Sequence, residues 1–279
     1  MLLDSSFGQR LQNVFSAKGQ LCVGLDPSSD QLDKWGLDYS AAGAERFCNL
    51  IIDACQGKIG ILKPQVSFFE QFGPEGFATL QRVLHRAHND GFLVIADAKR
   101  GDIGSTMDGY ASAWIAVEAP FLADAITVSP YLGPESLRSF CSTATSNQKG
   151  VFVLAATSNP EARLSQAASI EGSLSVAGNV VSFASSVRDD VFGSVGVVLG
   201  AETDLRAMGI DIADLASIPI LAPGFGMQGA KLTDAFKLFG SLASNVIFSV
   251  SRSVAGDNLA GLQDRVQSAV DELQIGLSR

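Results

Sequence analysis

Short apolar runs rich in β-branched residues alternate with longer stretches of helical periodicity along the whole chain, and this alternation leaves few folds open. Eight such runs occur, at residues 21–25, 59–62, 93–98, 125–128, 151–155, 195–199, 219–222 and 246–250. Most are continuously apolar, the pattern of parallel strands covered on both faces. Between the first two, Ala44, Phe47, Cys48, Ile51, Ile52 and Cys55 recur at i, i+3, i+4, i+7, i+8 and i+11, which predicts a helix lying on the sheet. Further helices are predicted over 74–90, 107–117, 136–141, 176–187, 231–238 and 259–273, with an extra N-terminal helix near 7–15.

Eight strand-then-helix units in 279 residues predict an α/β chain folded as a closed (β/α)8 TIM barrel, a single domain over residues 1–279. The rival is an open doubly wound sheet, which usually carries a glycine fingerprint after its first strand; Leu25, Asp26 and Pro27 stand there instead. No linker divides the chain, and the Ser- and Ala-rich stretch 157–175 reads as a mobile loop.

Charge and composition exclude several classes. A net charge of -9 and a pI near 4.7, with no basic run, disfavour binding to nucleic acid or anionic membranes, so any phosphate must be held locally. No apolar stretch approaches the roughly 18–20 residues that span a bilayer, and residues 1–20 lack a secretory pattern, so a cytoplasmic location is expected. Cys22, Cys48, Cys55 and Cys141 form no CxxC pair and read as reduced and mostly buried. His85 and His88, the only histidines, fall on a predicted helix closed by Gly91. Neither a metal site nor a cofactor is expected, which leaves Lys, Asp, Arg and the backbone to do any chemistry.

In a barrel of this kind the site lies at the C-terminal ends of the strands. Those ends carry Asp26, Lys63, Asp97 with Lys99, Thr157 with Ser158, Pro223 with Gly224, and Ser251 with Arg252. On a straight strand Asp97 and Lys99 would project from one face with Cα atoms roughly 6.5 Å apart. Asp102 follows in a loop whose Gly101 and Gly104 permit a tight path back toward them. An exposed Asp–Lys pair would contribute only about 0–1 kcal/mol. The preceding Leu93-Val94-Ile95-Ala96, however, makes this the end of a buried strand, where unpaired charge is costly and clusters are functional or fully networked.

With Lys63 one strand away, an alternating array of Lys63, Asp97, Lys99 and Asp102 is expected. Each opposite-charge contact near 4 Å would supply roughly 4 kcal/mol before desolvation. The glycine-rich segment 222–229 and Arg252 at the next strand end suit an anion cradle, and hence a phosphorylated substrate.

The string Asp97-Ala98-Lys99-Arg100-Gly101-Asp102-Ile103-Gly104-Ser105-Thr106 resembles the signature of the orotidine 5'-monophosphate decarboxylase family, in its slightly longer bacterial, type 2 form. Gly24-Leu25-Asp26, Lys63-Pro64-Gln65, Thr157-Ser158-Asn159-Pro160, residues 223–229 and Ser251-Arg252-Ser253 match further family segments in order, from about residue 20 to 255. The resemblance implies that Asp26 and Lys63 contact the ribose, that Asp97 lies against the substrate carboxylate and that Lys99 protonates the ring carbon. It also implies that Ser158 reads the pyrimidine, Pro223 packs near the base, and Gln228 and Arg252 grip the phosphate. Asp102, Ile103 and Thr106 would reach into a neighbouring subunit's site, giving a homodimer with shared sites, without metal or cofactor. The chain departs from the family pattern at Ser251, where many relatives have glycine, and is longer around 160–191.

Two other functions fit parts of the same pattern. A related phosphosugar decarboxylase of the same barrel group would use magnesium, and tends to place an acidic ligand at the end of strand two, where Lys63 stands. A silent barrel that only senses a phosphorylated metabolite would need Gln228 and Arg252 but not the lysine–aspartate set.

Overall fold

Backbone pairing carries the alternation into space. In the computed structural model, which describes residues 5–170, 174–227 and 229–278, the runs become β1 (Leu21–Leu25), β2 (Ile61–Pro64), β3 (Leu93–Arg100), β4 (Ala125–Val128), β5 (Gly150–Ala156), β6 (Val195–Leu199), β7 (Ile220–Ala222) and β8 (Val246–Val250). Each strand pairs in parallel with its sequence neighbours, and β8 closes on β1, so the sheet is the expected (β/α)8 barrel.

Several boundaries differ from the expectation for local reasons. The strand expected at 219–222 starts at Ile220, since Pro219 has no N–H for the ladder. The strand expected at 59–62 starts at Ile61, because Gly60 lies under the N-terminal helix; a Cβ there would come 2.5 Å from Val14. The helix expected at 136–141 becomes a 3-10 turn, Pro134–Leu137, followed by the helix Arg138–Ser146. The one at 231–238 likewise splits into a 3-10 turn, Leu232–Asp234, and the helix Ala235–Phe239. The last helix begins after Gly261, at φ 72°, and spans Leu262–Leu277.

The segment 157–175 is not loop throughout. It contains the helix Ala162–Gln166 and an antiparallel bridge between Ser169 and Ser175. The Gln166 side chain holds it against the barrel, accepting from the Thr157 N–H at 2.9 Å. No helix of the described residues is long and apolar enough to cross a membrane.

The core has two parts, one between sheet and helices and one inside the barrel. The inner part holds Cys22, Ile61, Ile95, Ala125, Phe152 and Ile247 from the strands, together with Phe7 and Leu11 of α1 (Phe7–Lys18). Ser6 and Gln9 cap α1 reciprocally, and Gly19, at φ 76°, ends it. Phe7 meets Phe152 edge to face at 6.0 Å and passes so close to Gly150 that a Cβ there would come 2.5 Å from the ring. Arg10 pairs at 2.5 Å with the buried Asp124, pinning the helix. α1 therefore closes the N-terminal end of the barrel. All four cysteines are buried and unpaired, and burial pushes the Cys22, Cys55 and Cys141 thiols up to about 12.

Candidate active site

Successive interior positions lie two residues apart along each strand, and four of them change character in the same step toward the C-terminal rim. Above Ile61 stands Lys63, above Ile95 Asp97, above Ala125 Thr127, and above Ile247 Ser249. The apolar barrel core thus forms the floor of a polar cavity of about 290 Å³. All ten strand-end residues named above line it: Asp26, Lys63, Asp97, Lys99, Thr157, Ser158, Pro223, Gly224, Ser251 and Arg252.

Asp97 is the hinge of the charges. Lys63 Nζ lies 3.1 Å from its Oδ2 and Lys99 Nζ 2.5 Å from its Oδ1. The side chains of Lys63 and Asp97 are 8% and 11% exposed, whereas Lys99 is 44% exposed and faces the cavity mouth. Burial acts to raise the Asp97 carboxyl, but the Lys63 and Lys99 charges and the hydrogen bonds from Lys99 and Thr127 overcome it and hold the group well below the usual carboxylate range. Burial likewise acts against the Lys63 ammonium, and Asp97 with Asp26 reverses that and raises it above its ordinary value.

The pair does not sit on a straight strand as the spacing of two suggested. Ala96 is in register with Ile126 and Arg100 with Val128, so three residues of β3 face one of β4. The bulge puts Lys99 at φ 50°, unusual for a residue with a side chain. Arg100, next along, is turned out of the cavity, paired with Glu70 and stacked near the Tyr110 ring.

Asp102 is not brought into the array of its own chain. Gly101 packs on the backbone after β4, where a Cβ would come 2.3 Å from the Ser129 carbonyl, and the chain leaves in another direction. The Asp102 N–H donates to Met107 Sδ at 3.2 Å and its carboxylate accepts from the Ile103 N–H at 2.8 Å. Ile103, 59% exposed, and Thr106 face solvent, and neither lines the cavity. The expected four-membered array is therefore three-membered within one chain. Gln228 lies outside the described residues.

Opposite the array, Arg252 starts a short helix, Arg252–Ala255, and forms no salt bridge among the described residues. Ser251 is tight against β1: a Cβ on Gly24 would come 2.8 Å from its own Cβ, so the glycine makes room for it. Gln65 and Thr127 also belong to the site, though strand-end charges did not point to them. Gln65 Oε1 accepts from Lys99 Nζ at 3.4 Å, and Thr127 contacts both Asp97 and Lys99. The available signal was polarity at inward positions beside the charged ones. Among the described residues no cluster of three or more His, Cys, Asp or Glu side chains is placed to hold a metal ion.

This geometry sets a stability contrast. Asp97→Ala strands the buried Lys63 ammonium and is expected to lower the unfolding free energy by about 3–5 kcal/mol, whereas Lys99→Ala removes a half-exposed partner and should change it by less than about 1 kcal/mol. The pH dependence follows from the directions. The depressed Asp97 adds stability that is fully present above its unfolded value of 3.8 and is lost as pH falls through the folded value. The raised Lys63 adds stability that is present below 10.5 and lost as pH rises through its folded value. Urea unfolding of the parent and of Asp97→Asn across pH 2–5 checks this; equal acid slopes for the two would contradict the role given to Asp97.

Comparison with known proteins extends over nearly the whole chain. The family model described as Orotidine 5'-phosphate decarboxylase / HUMPS family matches residues 19–260. An orotidine 5'-phosphate decarboxylase of Salinispora arenicola is 42% identical over 270 residues, covering 94% of this chain and 95% of the relative. One from Streptomyces coelicolor is 42% identical over 251 residues, 89% of each. A crystal structure from Streptomyces avermitilis, provisionally described as an orotidine 5'-phosphate decarboxylase, superposes with a TM-score of 0.92 at 38% identity, covering 99% of this chain and 97% of that one. The Leishmania donovani OMP decarboxylase structure does so with a TM-score of 0.77 at 31% identity, covering 99% and 100%.

Proposed function

The chain belongs to the orotidine 5'-phosphate decarboxylase / HUMPS family, and from that premise we propose how it acts: it decarboxylates orotidine 5'-monophosphate to uridine 5'-monophosphate, the last step of de novo pyrimidine nucleotide synthesis. The observation that carries the mechanism is the fixed Lys63–Asp97–Lys99 triplet above an apolar floor, with the one half-exposed ammonium aimed into the cavity.

The phosphate sits on Arg252 and Gln228, the ribose on Asp26 and Lys63, and the pyrimidine against Ser158 and Pro223. The bond from the ring carbon to the carboxylate breaks, carbon dioxide leaves, and the electron pair stays on the ring carbon. Lys99 stabilises that developing charge and then gives the carbon a proton from Nζ, recovering it from water. Asp97 opposes the substrate carboxylate in the bound state, and that repulsion is relieved as the carboxylate becomes neutral carbon dioxide and its charge passes to the ring carbon beside Lys99. The fixed position of Asp97, held by two cations, lets it oppose the carboxylate without turning away. Binding free energy from the distant phosphate orders the site.

The second carboxylate of the array, Asp102, comes with Ile103 and Thr106 from a neighbouring subunit, so the active form is a cytoplasmic homodimer with shared sites. The outward course of residues 101–106 supports this reading, since those side chains cannot serve their own cavity as placed.

Incubation with orotidine monophosphate, followed by its ultraviolet absorbance, tests the reaction. Turnover should be the same with and without a chelator, because Lys63 stands where a magnesium-dependent relative would need an acid. Activity that vanishes on chelation and returns with magnesium would favour the phosphosugar decarboxylase instead, and no change in absorbance would favour a binding barrel.

A further inference from the structure

The β3 bulge that carries the two reacting charges is faced by a single residue of β4, Thr127, which lies between the register pairs Ala96–Ile126 and Arg100–Val128. Its side chain is 1% exposed and does not line the cavity. Its hydroxyl accepts from the Lys99 N–H at 3.0 Å and stands 2.8 Å from Asp97 Oδ1. A hydroxyl has one proton, and since the first bond uses it as acceptor, that proton is directed to the carboxylate.

These two bonds reach both ends of the bulge. A bulge leaves backbone groups out of the ladder, and a buried N–H without a partner is costly; here the missing partner is a side chain. Lys99 is held at φ 50°, a strained conformation for a residue with a Cβ, which persists only where its surroundings enforce it. The same oxygen fixes the rotation of the Asp97 carboxylate, leaving Oδ2 for Lys63 and Oδ1 for Lys99 and Thr127. Satisfying a buried group is the ordinary task of such a threonine, but at this inward position valine would fill the same volume in an apolar strand. What the hydroxyl adds is a fixed relation between the Lys99 backbone and the Asp97 carboxylate.

We propose that Thr127 is a positioning residue for the decarboxylation: through the Lys99 N–H and Asp97 Oδ1 it sets where the ammonium of Lys99 stands relative to the carboxylate, and so to the reacting carbon. This rests on the decarboxylase reading given above. Thr127 lies outside the cavity lining and acts through the two charges alone.

The test is a hydroxyl series, Thr127→Val, Thr127→Ser and Thr127→Ala, assayed as full-length protein with orotidine monophosphate, with uridine monophosphate binding followed by calorimetry. Thr127→Val should lower kcat by about 10- to 100-fold, the effect of losing hydrogen bonds to charged or strained groups, with KM and product affinity within about threefold of the parent. Thr127→Ser should keep kcat within about threefold, since it restores the hydroxyl. Should Thr127→Val fail to fold, the Ser and Ala variants decide: a high kcat for Ser with a low one for Ala supports the role, and equal values overturn it. A purely structural threonine would lose kcat and product binding together. A parental kcat in Thr127→Val overturns the role of Thr127 alone, whereas a parent chain that leaves the substrate absorbance unchanged overturns the decarboxylase reading and this role with it.

Discussion

Lys99→Ala is expected to lower kcat on orotidine monophosphate by about four orders of magnitude or more, while uridine monophosphate binds within about tenfold of the parent. The variant removes two functions in one group. Loss of an electrostatic stabiliser at a developing charge typically costs about 10²- to 10³-fold, and loss of a positioned proton donor about 10²- to 10⁴-fold. Because one side chain supplies both, the effects do not multiply fully, and the lower end of the product is the reasoned figure. Ground-state contacts with the phosphate and ribose are left in place, so product binding, read by calorimetry, separates lost chemistry from a lost site. The Lys63–Asp97 pair remains, which keeps the fold and the cavity floor intact. A kcat within tenfold of the parent would remove Lys99 from the mechanism.

The second large effect is recovery. Asp102→Ala and Lys99→Ala should each be nearly inactive alone, yet mixing the two with subunit exchange should restore activity in about one quarter of all sites. If each site takes Lys99 from one subunit and Asp102 from the other, random association makes half the dimers mixed. Each mixed dimer then has one site with both residues and one with neither. Turnover of the exchanged mixture, read against the two separate variants, gives the answer. A mixture no more active than its components would mean that each site is complete within its own chain, against the outward course of residues 101–106.

Much of the barrel could be read from the chain because its strands are largely apolar and several turn polar or charged at or just past their C-terminal ends. Ile61-Leu62-Lys63 comes within one residue of the end of β2, and Ile95-Ala96-Asp97 within three of the end of β3. The β3 bulge could not be read this way. Two residues between charges imply a shared face only on a regular strand, and whether the strand is regular depends on its partner, here Thr127. Thr127 carries no mark in the sequence because threonine is an ordinary strand residue; its significance comes from what it faces. The course of Asp102 was open for the opposite reason: Gly101 and Gly104 permit many paths, and the contact of Gly101 with the Ser129 carbonyl selects one. The helix boundaries slipped where a 3-10 turn precedes a helix, as at Pro134–Leu137, since a tightened turn keeps the apolar residues but changes their phase.

Phe7 and Leu11 stopper the far end of the cylinder, so among the described residues the chamber opens toward the C-terminal rim. Gas and nucleotide must then depart by the way the substrate came in. In the binding mode proposed above, carbon dioxide is freed between a ring anchored by its phosphate and the apolar floor, with Lys99 beside it. Its escape, not only its formation, is thereby tied to how long the nucleotide stays seated.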